Sequence, residues 1–345
     1  MMSLAFAESK SPEPPFAARQ MSVDGVSVAR LSDLKRGIDV SILPSMNNMA
    51  YEMTVHGKNI LYFPEIKLPD FQKRPAQVGI PFLAPWANRI DGTGFYANGK
   101  KYEFDFALGN LMRDQRGLSL HGVLSNTAPW RVTDIGADGK SAHVTSKLDF
   151  WKIPGYMAQW PFAHEYEMTY ILADGALEVR TTVSNKSVDT MPLAIGFHPY
   201  YRIPDVPRDE WLLRLPSCKA VIADERRVPT GEFKALDLPN PLPLQGRTLD
   251  DGFTDFERDA NGRAVFSIES GEKKIELVFG PQYPVAVIWE PASPPGRPMN
   301  FLCVEPMTAI TNGVNLHHQG KYPGLQMVAP DGKWTGSFWI RPVGF

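Results

Sequence analysis

Apolar and polar residues alternate along much of this chain. Tyr166, Met168, Tyr170 and Leu172 are separated by more polar neighbours, and Leu177, Val179, Thr181 and Val183 then alternate with Glu178, Arg180 and Thr182. Ala173-Asp174-Gly175 stands between the two runs. Successive side chains of a strand point to opposite faces, so a period of two marks a half-buried strand, and Asp-Gly readily adopts the positive φ of a tight hairpin turn. The same pattern predicts hairpins for Trp130–Ile135 with Ala142–Leu148 and for Ala264–Ile268 with Lys274–Phe279, each around a Gly-containing turn. Gly37–Leu43, Ala50–Val55, Lys101–Phe106, Val285–Trp289 and Ser337–Ile340 read as further strands. No stretch keeps a 3.6-residue period beyond two turns. The pattern predicts an all-β protein with two or more antiparallel sheets packed face to face.

Composition adds limits rather than direction. The chain has 345 residues, 43% of them hydrophobic and 21% charged, which is enough to bury a large core. Its 31 prolines and 28 glycines are scattered, as turns between many strands require. The polar, Pro-rich stretch up to Gln20 reads as part of a mobile leader, residues 1–20. A single sandwich domain, 21–345, is expected to follow, because no linker or internal repeat divides it. A formal net charge of −2 gives no footprint for nucleic acid or for an acidic membrane. No apolar run approaches the ~18 residues of a membrane helix. The first residues lack the basic start of a secretory signal, so the cytoplasm is the expected location. Leu4-Ala5-Phe6-Ala7 leaves a trimmed signal, and hence a periplasmic or secreted protein, as the alternative. Cys218 and Cys303 form neither a disulfide framework nor a zinc motif and are expected as buried free thiols.

Candidate chemistry rests on a few polar residues in apolar or rigid settings. His121 lies in Ser119-Leu120-His121-Gly122 and His198 in Gly196-Phe197-His198-Pro199-Tyr200-Tyr201, contexts that suit strand ends facing a cleft. His56, His143 and His164 fit exposed or internally satisfied strand-end histidines. His317 and His318 are adjacent, so in an extended segment their side chains diverge and cannot share a metal. Glu305 follows Phe301-Leu302-Cys303-Val304, where burying a carboxylate is costly unless a site needs it. Taken singly, His198 also fits a rim histidine bonded to backbone, and Glu305 a structural ion pair. Arg89, beside Trp86 and Asn88, offers five donors in a fixed fork suited to sugar hydroxyls, or else stacks on Trp86 at the surface. Asp250-Asp251 precedes Gly252-Phe253 in what reads as a turn, with Asp251 solvated. Motifs for a nucleophile elbow, a phosphate loop, a zinc protease or a paired-cysteine site are absent from the sequence, and no ligand spacing argues for a metal.

In order along the chain, these residues resemble the aldose 1-epimerase (galactose mutarotase-like) family. Asn88-Arg89-Ile90 is similar to its N-R segment, Leu120-His121-Gly122 to its L-H-G, and His198-Pro199-Tyr200-Tyr201 to its H-P-Y-F. Asp250-x-x-Phe253 is similar to its D-x-x-F, and Val304-Glu305-Pro306-Met307-Thr308 to the segment that carries its catalytic Glu. The resemblance spans about residues 37 to 341. It implies a large antiparallel β-sandwich of the mutarotase type, a monosaccharide substrate and an isomerase that needs no cofactor or metal, acting as monomer or homodimer. It also implies roles: His198 as general acid at the ring oxygen, Glu305 as general base at the C1 hydroxyl, and Arg89, His121, Asp250 and Asn88 as groups that hold the sugar. Reference pKa values of about 4.3 for Glu and 6.5 for His supply a base and a partly protonated acid near neutrality. After Leu120-His121-Gly122 the chain reads Val123-Leu124-Ser125-Asn126, where dedicated galactose mutarotases continue with a second glycine, so the sugar stays open. Two alternatives remain: a hexose-6-phosphate 1-epimerase, with Arg113, Arg116 and Lys152 as candidate phosphate partners, and a non-catalytic carbohydrate-binding protein.

Overall fold

The structure is a computed structural model that describes residues 14–124, 127–216, 218–292 and 299–345. Two large antiparallel sheets dominate it. The nine-stranded sheet runs, in spatial order, through Arg131–Ala137, Ser141–Leu148, His164–Ala173, Ala176–Asn185, Lys333–Val343, Lys273–Phe279, Ala264–Ser270, Leu212–Arg214 and Leu242–Pro243. The eight-stranded sheet runs through Pro229–Ala235, Lys219–Ala223, Leu249–Thr254, Val285–Glu290, Leu302–Met307, Gly196–Phe197 and Phe82–Leu83, with Tyr200–Tyr201 also paired to Leu302–Met307. A five-stranded sheet made from residues 16–59 adds a further layer.

The hairpins form where period-two burial meets a turn that the backbone can make. His164–Ala173 alternates strictly between buried and half-buried positions. It pairs with Ala176–Asn185 down to Ala173 opposite Ala176, leaving only Asp174 (φ 50°) and Gly175 (φ 73°) in the turn. Two successive positive φ values match the right-handed twist of the flanking strands.

The two large sheets meet through aromatic residues. Phe82 and Tyr166 have ring centroids 5.1 Å apart, and Phe197 and Phe338 are 4.9 Å apart, each pair joining one sheet to the other. Edge-on and offset pairs of this kind add to the area they bury. One continuous core therefore fills the sandwich, which confirms the all-β class.

Three details differ from the sequence reading. Phe16–Val23 is a strand paired along its length with Val26–Asp33, so residues 16–20 of the expected leader are ordered, and residues 1–13 lie outside the described residues. Phe16 is buried, and its ladder to Asp33 anchors a stretch whose prolines had suggested mobility. His317 and His318 belong to a short helix, Gly313–His318, rather than to an extended segment. Asp250 and Asp251 lie within the strand Leu249–Thr254, not in a turn. Among the described residues no helix is long and apolar enough to cross a membrane.

Candidate active site

Register places the key carboxylates on one face of the eight-stranded sheet. Glu305 sits opposite Val287, Val287 opposite Gly252, and Asp250 opposite Trp289. Side chains directly opposite on antiparallel strands share a face, as do residues two apart on one strand. Asp250, Val287, Trp289 and Glu305 therefore project together, while Ile288 and Val304 project into the core and are fully buried. Being in a strand, Asp250 and Asp251 point apart. Asp250 comes to within 3.6 Å of Arg89, whereas nearly half of the Asp251 side chain is exposed.

His198 reaches the same face from the end of Gly196–Phe197. Its Nε2 lies 3.2 Å from Glu305 Oε1, and both side chains are almost fully buried. The imidazole stacks on Tyr200 at 4.8 Å and meets the edges of Trp289 at 5.5 Å and His121 at 5.4 Å. Glu305 Oε2 is buried and has no hydrogen-bond partner among the described residues. Buried polar atoms are nearly always satisfied, so this carboxylate oxygen is a candidate for contact with a water or a ligand.

The second wall is a loop laid across the sheet. Ala87 donates its N–H to Ala194 O at 2.6 Å, and the loop packs so closely that a Cβ on Gly196 would lie 2.9 Å from both Ala87 Cβ and Met307 Cγ. Gly196 is what lets the Asn88–Arg89 segment approach His198. Asn88 (φ 58°) and His121 (φ 60°) both occupy the left-handed region, which is rare for residues with a Cβ and least so for Asn, Asp and His. They hold each other: the His121 N–H donates to Asn88 O at 2.9 Å, and the Asn88 N–H donates to His121 Nδ1 at 3.2 Å. Gly122 follows with φ 73°, and a Cβ there would strike Ala84 O at 2.1 Å, which accounts for the glycine after His121.

Arg89 is held on three sides. Its Nε donates to Asp114 Oδ2 at 2.9 Å, Nη1 donates to Asn88 Oδ1 at 3.0 Å, and Nη2 stands 3.6 Å from Asp250 Oδ2. Asp114 did not stand out in the sequence. Its signal was local: its Oδ1 accepts from the N–H groups of Arg116 and Leu118, an Asx turn that leaves Oδ2 for Arg89. Trp86 is not at the site; it is buried and stacked on Phe104 at 4.9 Å.

Burial governs the protonation of the pair. It pushes the His198 imidazole down to about 3 and the Glu305 carboxyl well up, with nearby Asp250 adding to the rise and Arg89 opposing it. His121 is also driven well below the usual histidine range by burial, helped by His198 and Arg89. The pair is thus biased toward neutral imidazole and carboxylic acid. That state holds the same number of protons as imidazolium and carboxylate, so the proton needs only to cross a 3.2 Å gap.

A cleft of about 670 Å³ opens beside Asn88, Arg89, Asp250, Gly252 and Val287 and extends toward the strands of residues 219–235. Arg116 lines it. Arg113 and Lys152 do not: Arg113 covers the Phe106 ring, and Lys152 pairs with Asp149. Of the remaining histidines, His164 is buried with Nδ1 2.6 Å from Phe162 O, and His143 pairs with Asp134 at 2.8 Å. Cys218 and Cys303 are buried free thiols, and no group of metal-ligating side chains occurs among the described residues. Ser125-Asn126, part of the departure after Leu120-His121-Gly122, lies outside the described residues.

The fold is thus an antiparallel sandwich with a buried His198–Glu305 pair next to an open cleft, Glu305 standing opposite Val287 of the cleft lining. The family model for aldose 1-epimerase matches residues 52–341, and the chain belongs to that family. It is 23% identical over 266 residues to YphB, an uncharacterized protein of Escherichia coli (strain K12), covering 75% of this chain and 82% of the relative. Among solved structures it is similar to a galactose mutarotase-like protein from Clostridium acetobutylicum, with a TM-score of 0.83 at 23% identity over 96% of this chain and 99% of the other. It is also similar to galactose 1-epimerase from Lactobacillus acidophilus NCFM, with a TM-score of 0.70 at 12% identity over 95% and 97% of the two chains.

Proposed function

We propose that the protein is an aldose 1-epimerase that interconverts the α and β anomers of a free sugar, with His198 and Glu305 as its acid–base pair. One observation carries this reading: two titratable groups of opposite kind stand 3.2 Å apart in a buried site, and one carboxylate oxygen has no partner. Anomerisation acts on two oxygens bonded to one carbon, the C1 hydroxyl and the ring oxygen. A base and an acid this close can address both at once. A binding protein gains nothing from burying such a pair, since each group costs desolvation.

The proton balance closes within the pair. Glu305 as carboxylate takes the proton of the C1 hydroxyl while His198 as imidazolium gives its Nε2 proton to the ring oxygen. The C1–ring-oxygen bond breaks and an aldehyde forms. Rotation about C1–C2 presents the other face, and the reverse transfers reclose the ring. Glu305 leaves the ring-opening step protonated and His198 neutral, the state that burial favours in the free enzyme. Each positioned acid or base contributes roughly 10²–10⁴ in rate. Arg89 and His121 offer donors to the remaining hydroxyls, Asp250 offers acceptors, and Asn88 fixes the first two.

The charges around the cleft favour a neutral sugar over a phosphorylated one. Arg89 is matched by Asp114 and Asp250, and Arg227 lies 3.8 Å from Asp251 and 4.0 Å from Asp250. Arg116 and Lys234 face the same cleft as Glu225 and Asp237.

The test is polarimetry on freshly dissolved α-glucose and α-galactose. The protein accelerates the loss of optical rotation for at least one of them, and Glu305→Gln and His198→Asn each remove the acceleration while sugar still binds. Near-wild-type turnover in either variant sinks the assignment. Acceleration confined to phosphorylated sugars moves the substrate to the hexose 6-phosphates.

A further inference from the structure

The edge of the eight-stranded sheet ends in a hairpin that leaves the sheet. Lys219–Ala223 pairs with Leu249–Thr254 at Lys219 and Ala220, and beyond Ala220 that ladder stops. Within the hairpin Val221 faces Phe233 and Ala223 faces Pro229, which sets Ile222 against three residues, Thr230, Gly231 and Glu232. A bulge of this kind bends the chain. Gly231 makes the bend with a φ of 94°, and a Cβ there would lie 2.7 Å from Lys321 Cβ. Past the bulge, the turn at residues 224–227 holds its own shape. Asp224 Oδ1 accepts from the N–H groups of Arg226 and Val228, and the Arg227 N–H donates to Asp224 O. Val228 is buried and seats the turn, while Glu225, Arg226 and Arg227 are exposed.

Arg226 carries this turn across to the wall that bears Arg89. Its Nη1 donates to Asp91 Oδ1 at 2.7 Å and its Nη2 to Asp91 Oδ2 at 3.2 Å. Its Nε donates to Asp224 Oδ2 at 3.0 Å, which aims the guanidinium. Asp91 is a firm post: its N–H donates to Asn312 Oδ1, and its carbonyl accepts from Asn315 Nδ2. Asp224, Glu225 and Arg227 line the cleft from one side, and Asn88 and Arg89 line it from the other. Two cleft walls are thus tied by one guanidinium. The ties of the turn toward the sheet are longer, with Arg227 Nη1 3.3 Å from Asp250 O and 3.8 Å from Asp251 Oδ1.

We infer that residues 222–232 form a flap at the side of the cleft, and that the Arg226–Asp91 bridge is the latch that holds it shut. The bulge supplies the hinge, and the turn at residues 224–227 moves as one piece. A two-pronged guanidinium–carboxylate contact is the strongest form of surface ion pair. Here its side chains are 49% and 34% exposed, so salt screens it. The latch therefore sets how often the flap opens, and with it the rate at which a ligand enters and leaves. It leaves affinity alone, because entry and exit pass through the same opening. Latch and hinge stand on this geometry; that the gated ligand is a sugar rests on the epimerase reading.

Pulsed electron paramagnetic resonance between nitroxides on Thr93→Cys and Glu225→Cys tests the flap. Cys218 and Cys303 are buried and stay unlabelled. Removing the latch with Asp91→Ala raises the ratio of long to short separations about fivefold. Salt at about 1 M, where the Debye length is about 3 Å, raises it in the latched protein and adds nothing in Asp91→Ala. The salt comparison requires no latch variant, so a poorly folding Asp91→Ala does not protect the inference. Separations that ignore both salt and Asp91→Ala overturn it. Stopped-flow fluorescence of glucose and galactose binding to Glu305→Gln then reads the gate. Adding Asp91→Ala quickens association and dissociation alike, about fivefold each, with their ratio within about twofold. A change in dissociation alone overturns the gate, since it makes Asp91 a binding contact. A flap that shifts in a protein that neither binds nor turns over a sugar keeps the latch and removes the epimerase reading.

Discussion

Asp114 Oδ2 accepts a hydrogen bond from Arg89 Nε at 2.9 Å, and this contact decides which edge of the guanidinium faces the cleft. Burial raises the Asp114 carboxyl, but the Leu118 N–H, the Arg89 side chain and the Arg116 N–H outweigh it and hold it below the usual carboxylate range. Asp114→Asn keeps the shape and removes the charge. Charge-assisted hydrogen bonds are about twice as strong as neutral ones. The expected result is a KM raised about tenfold with kcat nearly unchanged, because Arg89 holds substrate and transition state alike. Initial rates of mutarotation across sugar concentration check it.

Glu305 works at a cost in stability. Burial raises its folded pKa, so the folded chain keeps this proton to a higher pH than the unfolded chain does. Stability is therefore lost as pH rises from the unfolded value of about 4.3 through the folded one. Glu305→Gln cannot ionise. At pH 8 it unfolds at higher temperature than the wild type, with a gain of about 1 kcal/mol, while mutarotase activity disappears. The advantage shrinks as pH falls toward 4. Thermal melts at the two pH values decide the matter, and a destabilised glutamine variant at pH 8 refutes it.

A histidine remote from the cleft is expected to make the fold sensitive to acid. His164 is fully buried, stacks on Phe150 at 4.1 Å, and is pushed down to about 4 by burial. Below about pH 6.5 the unfolded chain takes up a proton that folded His164 refuses. Its stabilising effect is complete above pH 6.5, declines as pH falls, and is gone by about pH 4, a loss of about 3 kcal/mol. His164→Gln should remove one proton from the uptake on unfolding near pH 5. Urea midpoints measured from pH 4 to 8 give the slope.

Arg208 and Glu290 form a buried ion pair, Nε to Oε1 at 3.1 Å. Burial pushes the Glu290 carboxyl up to about 7, with Arg208 pulling it back. Arg208 also donates to Pro291 O at 2.9 Å and, through its N–H, to Asn300 Oδ1 at 3.3 Å. Removing one partner of a buried pair typically costs about 3–5 kcal/mol, whereas replacing both with apolar residues is often tolerated. Arg208→Met should fall in that range, and Arg208→Met with Glu290→Leu should recover more than half of it in denaturant titrations.

The fold was legible wherever one face of a strand is buried. Tyr166, Met168, Tyr170 and Leu172 announce their strand because every second residue meets the core. The proposed pair was legible too, since His198 and Glu305 sit in apolar surroundings that ordinary surface residues avoid. Three things were hidden. Phe16–Val23 follows a proline-rich approach and shows little alternation, and its pairing with Val26–Asp33 orders it. Asp250, named as a candidate, was read in a turn, and only strand register parts it from Asp251 and aims it at Arg89. Asp114 depends on a loop closing onto Arg89, and contacts of that range leave no periodic trace.

The Asn88 N–H that points at His121 Nδ1 has a consequence for the direction of hydrogen bonding around a bound sugar. A neutral imidazole carries one proton, and with Nδ1 occupied as acceptor that proton resides on Nε2. His121 can therefore only give to a ligand oxygen, as can the Arg89 guanidinium, while the Asp250 carboxylate can only take. A hydroxyl lying between a giver and a taker has a single permitted orientation of its O–H bond. On the proposed epimerase reading, these three groups impose a sense of travel on the sugar hydroxyls they meet, and an epimer with one of those hydroxyls inverted breaks that sequence at a definite point.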